Sequence, residues 1–185
     1  MPTGKPGSTL DVAFMNHLVL ITTGGTIEKT YDEASGSLDD RRSIVGRMLR
    51  RIRLEEVAIS VNELMSKDSL HMNDGDRQRI IASVELAASA TPRPKGVVIL
   101  HGTDTLHMTG EALYDALRTP PFPVVLTGAM RPFEMKRSDA LQNLTEAIFA
   151  AGVLAPGIYC VAHGRALPFP GVVKDRERGT FVKLG

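Results

Sequence analysis

Short apolar runs alternate along this chain with stretches whose apolar residues recur at helical spacing. Four runs, HLVLI ending at Ile21, GVVILHG from Gly96, FPVVLTG from Phe122 and GIYCVAHG from Gly157, are continuously apolar. Strands covered on both faces need such runs, because side chains pointing up and down are all buried. A fifth run, Val57 to Leu64, is weaker. Between the runs, Ile44, Val45, Met48, Leu49 and Ile52 mark one helix, and Ile80, Ile81, Val84 and Ala88 a second behind an Asn73 cap. Leu106, Leu113 and Leu117 mark a third, and Leu141, Leu144 and Ile148 a fourth that starts near Ser138. The order strand-helix, repeated and closed by a strand, predicts an α/β fold: a three-layer, doubly wound, mostly parallel sheet in a single domain. Beyond the last run Pro168, Pro170 and Gly171 break the pattern. That tail is expected to be irregular, either a cover for the sheet's end or a linker.

Composition narrows the functional classes. Of 185 residues 43% are hydrophobic and 23% charged, and 22 Lys and Arg against 21 Asp and Glu leave a net charge of +1. Bulk electrostatics therefore draws in neither nucleic acid nor anionic lipid, and neither is expected as a partner. Cys160 is the single cysteine, which excludes a disulfide framework and a multi-cysteine metal cage and favours a reducing compartment. No apolar run approaches the roughly 18 residues that cross a bilayer. The opening MPTGKPGSTLD lacks the apolar core of a signal peptide. Residues 1–16 are therefore expected to be a flexible tail, residues 17–185 the domain, and the cytoplasm the location.

In an open parallel sheet, ligands bind beyond the carboxyl ends of the strands. The segments there are TTGGTIEKTY (Thr22 to Tyr31), SKDS (Ser66 to Ser69), HGTDT (His101 to Thr105), TGAMRP (Thr127 to Pro132) and HGR. Hydroxyls, carboxylates and glycines dominate this edge. Gly24 and Gly25 allow a sharp turn and close backbone approach to a ligand. A phosphate loop is disfavoured, since GxxxxGK[ST] and the three-glycine dinucleotide spacing are both missing, as is a GxSxG elbow. Thr103 and Asp104 stand either as functional groups at a strand end or as caps of the helix that follows.

Taken together, TGGTI (Thr23 to Ile27), HGTDT, GAMRP (Gly128 to Pro132) and SDALQN (Ser138 to Asn143) resemble the bacterial-type L-asparaginases over about Leu18 to Lys174. The resemblance implies hydrolysis of L-asparagine to L-aspartate and ammonia without cofactor or metal. It implies Thr26 as nucleophile, and Thr103, Asp104 and Lys174 as a second group in which Lys174 is the base and Asp104 orients it and binds the substrate's amino group. Ser69 matches the serine that holds the substrate carboxylate, and Tyr31 the mobile-loop tyrosine that assists the nucleophile. Gly25, Gly102 and Ala129 complete the expected substrate contacts, with the Gly25 and Gly102 segments as the nearest oxyanion donors. A homodimer or homotetramer is expected.

The sequence also departs from the family. Longer members carry a second domain, and a glutamate from a neighbouring subunit completes their site. Here that glutamate is unassigned, with Glu28, Glu134 and Glu177 as candidate substitutes. After Ser69, where many relatives have Gln and Asp, this chain has Leu70 and His71. Two other functions compete: the ammonia-releasing subunit of a tRNA-dependent amidotransferase, and a non-catalytic aspartate or asparagine sensor. Other features read as structural. Arg41, Arg42, Arg47, Arg50, Arg51 and Arg53 read as a solvated basic face, His101 and His107 lack a metal-ligand spacing, and Cys160 reads as a small buried apolar residue. Met48, Met65, Met72, Met108, Met130 and Met135 read as core or interface filler.

Overall fold

A computed structural model describes residues 16–39 and 43–184. Of the expected N-terminal tail, residues 1–15 lie outside the described residues, as do Arg41 and Arg42, whereas Asn16 already belongs to the first strand.

The predicted strands form as β1 (Asn16–Thr22), β4 (Val57–Glu63), β5 (Gly96–Leu100), β6 (Pro123–Thr127) and β7 (Gly157–Ala162). They are parallel to one another, and with β8 (Arg165–Pro168), antiparallel to β7, they build a sheet of order β4-β1-β5-β6-β7-β8. The chain thus leaves β1 first to one side and then to the other, which opens a crevice at the carboxyl ends of β1 and β5. Edge position explains the weak signal of β4, whose residues Ser60 to Glu63 are exposed.

Successive strand residues bury into opposite layers. Ile21, Val97, Ile99, Val124, Leu126, Ile158 and Cys160 meet α2 (Asp74–Ser89) and α3 (Leu106–Leu117) through Ile80, Val84, Leu106 and Leu113. Leu18, Leu20, Val98, Leu100, Val125 and Val161 meet α1 (Val45–Leu49) and α4 (Ala140–Val153) through Met48, Leu144, Ala147 and Ile148. The Asn73 cap is a reciprocal capping box: Asn73 Oδ1 accepts from Asp76 N–H at 3.0 Å and Asp76 Oδ2 accepts from Asn73 N–H at 3.0 Å. Helix α1 is shorter than its periodicity predicts. Arg51 and Ile52 donate three residues back, to Met48 and Leu49, so the helix tightens and stops. The arginines on and after it are exposed, Arg47 pairing with Glu134 at 2.9 Å and Arg51 lying 5.7 Å from the Phe133 ring centre. No helix among the described residues is long and apolar enough to cross a membrane.

Two segments expected as loop or tail are strands instead. The expected irregular tail forms β8 and a hairpin of β9 (Val172–Asp175) and β10 (Thr180–Lys183). Its strands are four residues long and separated by Pro and Gly, too short for periodicity to register, yet Phe169, Val172 and Phe181 are buried in the α2–α3 layer. Gly110 of α3 makes the room, since a Cβ there would lie 2.0 Å from the Phe169 ring. The second surprise follows Thr26, where β2 (Thr30–Asp32) and β3 (Ser37–Asp39) pair as a small hairpin.

Candidate active site

Glycines bring the strand-end loops together. Gly24 and Gly25 both have left-handed backbone, φ 90° and 88°. A Cβ on Gly25 would lie 2.4 Å from Gly102 Cα, so the loops after β1 and β5 touch backbone to backbone. A Cβ on Gly102 would in turn lie 2.5 Å from Ser69 Oγ, and one on Gly128 would lie 2.3 Å from His101 O. Thr23 pins the same loop to β5, its N–H and hydroxyl both donating to Leu100 O at 3.1 and 2.8 Å. Gly25, Ser69, Gly102, Thr103 and Ala129 are all buried within this convergence, and Thr26, at the start of a 3-10 turn (Thr26–Glu28), is half-buried at its edge. Gly25 N–H and Gly102 N–H donate to no group among the described residues.

The structure joins Thr103, Asp104 and Lys174. Lys174, carried by β9, donates to Thr103 Oγ1 at 2.7 Å and to Asp104 Oδ1 at 2.9 Å. Its side chain is 15% exposed and that of Asp104 25%. Lys174, expected in a loose tail, is thus held by the β9–β10 hairpin, where it pairs with Phe181. Arg176, in the turn after β9, reaches the same Asp104 oxygen at 3.0 Å.

Tyr31 stands apart. It lies on β2, 58% exposed, its hydroxyl beside Gly36, with no hydrogen bond to Thr26. Its N–H donates to Glu134 Oε2 at 3.1 Å, and this bond, with the Arg47 guanidinium, holds the Glu134 carboxyl below the usual range. Among the candidate glutamates, Glu134 is therefore anchored on the hairpin. Glu28 is buried beneath the Gly24–Thr26 loop, accepting from Gly24 N–H at 3.2 Å and from the Ser43 hydroxyl. Glu177 is exposed in the turn between β9 and β10.

Three supports escape sequence reasoning. Asp139, in the SDALQN stretch, does not cap α4 with its side chain but accepts from Met130 and Arg131 N–H at 2.9 to 3.1 Å, fixing the loop that carries Ala129. Burial works against its charge, but the N–H of Met130, the His163 ring and the N–H of Arg131 outweigh it and hold the carboxyl below the usual range. His163 bridges Asp139, at 2.9 Å, to the Thr180 hydroxyl of β10, at 2.8 Å. Lys29 pairs with Asp68 at 2.8 Å, tying the segment after Thr26 to the turn bearing Ser69. This ammonium is the main reason the Asp68 carboxyl is held low.

His101 proves structural. It is fully buried, with Nδ1 2.8 Å from Gly102 O and Nε2 2.8 Å from Thr109 Oγ1. A carbonyl only accepts, so Nδ1 carries the proton and Nε2 accepts from Thr109; burial pushes the ring's pKa down to about 4. Cys160 is buried, its thiol pushed up to about 12 by burial, which leaves it inert. Met48 and Met72 are core, while Met108 and Met135 are exposed at 46% and 43%.

Residues 17–178 match the family model Asparaginase, N-terminal. The chain belongs to the asparaginase family. An L-asparaginase of Thermococcus kodakarensis is 39% identical over 147 residues, 77% of this chain and 42% of the relative. A glutamyl-tRNA(Gln) amidotransferase subunit from Methanobrevibacter smithii is 32% identical over 135 residues, 73% of this chain and 30% of the relative. Among solved structures, the thermostable T. kodakarensis L-asparaginase superimposes with a TM-score of 0.79 at 31% identity, over 91% of this chain and 51% of that one. A probable cytoplasmic L-asparaginase from Campylobacter jejuni gives 0.76 at 26%, with the same coverage. This asparaginase-family chain thus spans about half, or less, of the length of these relatives.

Proposed function

We propose that this asparaginase-family chain hydrolyses L-asparagine to L-aspartate and ammonia, with minor activity on L-glutamine. The observation that carries the reading is the meeting of Lys174 with Thr103 and Asp104 across seventy residues of chain, on a loop whose Gly102 touches Gly25, the residue before the half-buried Thr26. In this reading Thr26 Oγ attacks the side-chain amide carbon and gives up its proton as the tetrahedral intermediate forms. The N–H groups of Gly25 and Gly102 stabilise the oxyanion. Ammonia leaves with that proton, and water then attacks the Thr26 ester to release aspartate and restore the hydroxyl. The contact between Lys174 and Thr103 suits proton transfer, because a neutral amine accepts the hydroxyl proton that an ammonium returns. Ser69 holds the substrate carboxylate, and Tyr31 assists Thr26 when the β2–β3 hairpin swings inward.

A second reading rests on the match to the glutamyl-tRNA(Gln) amidotransferase protein, in which the same chemistry supplies ammonia to a partner. A homo-oligomer in the cytoplasm is the expected setting for the first reading. Ammonia release from L-asparagine and L-glutamine by the purified chain and its Thr26→Ala variant tests it. Release lost in the variant supports the hydrolase. Release seen only with an added amidotransferase partner selects the second reading, and L-aspartate raising the Tm without release selects a sensor.

A further inference from the structure

Asp104 is more heavily occupied than an acceptor for a substrate ammonium should be. One of its oxygens, Oδ1, accepts from Lys174 Nζ at 2.9 Å and forms an ion pair with Arg176 Nη2 at 3.0 Å. Oδ2 has no partner among the described residues. Lys174 is built into the site, whereas the Arg176 side chain is 71% exposed at its rim, on the turn between β9 and β10. Arg77 is buried, donating only weakly to Met72 O at 3.4 Å, Asp74 at 3.5 Å and Met108 Sδ at 3.7 Å. Burial is the first reason His107 resists a proton; Glu111 opposes it, and Arg77 and Arg176 add to it in smaller measure. Glu111 itself is engaged by Gly171 N–H at 2.7 Å.

A free α-ammonium reaching Asp104 therefore adds a further cation to a carboxylate that already serves two. A neutral N–H donor meets no such repulsion and still satisfies Oδ2. If that nitrogen is acylated, the neighbouring carbonyl supplies an acceptor for the Arg176 guanidinium, which carries several N–H donors. Leu70, next to the Ser69 that packs against Gly102, adds exposed apolar surface at 63% exposure. Building on the amidohydrolase reading above, we propose that Arg176 is a specificity-determining residue that turns the site toward N-acylated L-asparagine, including asparagine at the carboxyl end of a peptide, over the free amino acid.

Calorimetric titration of the wild-type chain and the Arg176→Gln variant with L-aspartate and N-acetyl-L-aspartate tests this without requiring turnover. The expected result is tighter binding of the acetylated ligand by wild type, and a shift of the affinity ratio toward L-aspartate by about tenfold or more in the variant, the effect of one hydrogen bond to a charged group. Preference for L-aspartate by wild type, an unchanged ratio in the variant, or failure of both ligands to bind overturns the inference. Ammonia release from L-asparagine and N-acetyl-L-asparagine, measured alongside, reports on hydrolysis separately. The expected ratio without ammonia keeps the specificity assignment and removes the hydrolase reading, whereas ammonia with an unmoved ratio does the reverse.

Discussion

Lys174 Nζ lies 2.7 Å from Thr103 Oγ1, although the two residues are 71 positions apart, one on β9 and the other in the turn after β5. Only the docking of the β9–β10 hairpin against α3 closes that distance. Replacing Lys174 with Met keeps the length and apolar stem of the side chain and removes its donors. We expect ammonia release to fall by about 10²- to 10⁴-fold, the range for losing a positioned acid-base group, with Tm little changed because Asp104 retains Arg176. Steady-state assays with calorimetry check both halves.

The backbone contact of Gly25 with Gly102 predicts a large effect from one methyl group. Gly25→Ala places Cβ 2.4 Å from Gly102 Cα on a left-handed backbone, costing about 1–2 kcal/mol for the conformation alone and displacing a loop of the site. Gly152→Ala is the contrasting case. Nothing lies within 4 Å of the added methyl near the end of α4, so it is expected to stabilise by about 0.4–1 kcal/mol. Urea unfolding of the two variants should move in opposite directions.

A third expectation concerns pH. Folded His101 resists a proton that the unfolded chain accepts below 6.5, its own pKa lying at about 4. Stability is therefore full above 6.5 and declines as pH falls toward about 4, by on the order of 3 kcal/mol at most. The carboxyls of Asp68, Asp76 and Glu134, held low chiefly by Lys29, Lys67 and the Tyr31 N–H respectively, add a further loss at still lower pH. Tm measured across this range should show the upper decline in wild type and lose it in His101→Asn, whatever that variant's absolute stability.

Leu70 and His71 stand where the resemblance leads one to expect Gln and Asp, and both are exposed. With fewer polar contacts to the substrate, the KM for L-asparagine is expected to be nearer millimolar than micromolar. The double variant Leu70→Gln, His71→Asp should lower it by about tenfold per restored charged hydrogen bond and leave Tm unchanged. A micromolar wild-type value in steady-state kinetics refutes the expectation.

The parallel sheet was legible because strands such as Val97 to Leu100 are buried on both faces and so carry no polar residue. Asn73 announced α2 through chemistry local to one helical turn. β8, β9 and β10 were not legible, since each is four residues long and stabilised by distant partners such as Phe169 in the notch at Gly110. In the site, Thr103 and Asp104 were visible at a strand end, whereas the environment of Lys174 depended on that unseen hairpin. Asp139 and His163 escaped for a related reason. Their work is done on backbone N–H groups and a hydroxyl elsewhere in the chain, and no spacing in the sequence records it.

The contact between Gly25 and Gly102 sets a scale for change in this molecule. Two main chains that touch without an intervening side chain have a separation set by the van der Waals radii of backbone atoms, so exchanging core residues one for another leaves the spacing of the Thr26 loop and the Thr103 loop unaltered. Diversification is then channelled to the rim, where Leu70, His71 and Arg176 can be rewritten singly while the reacting groups keep their registration.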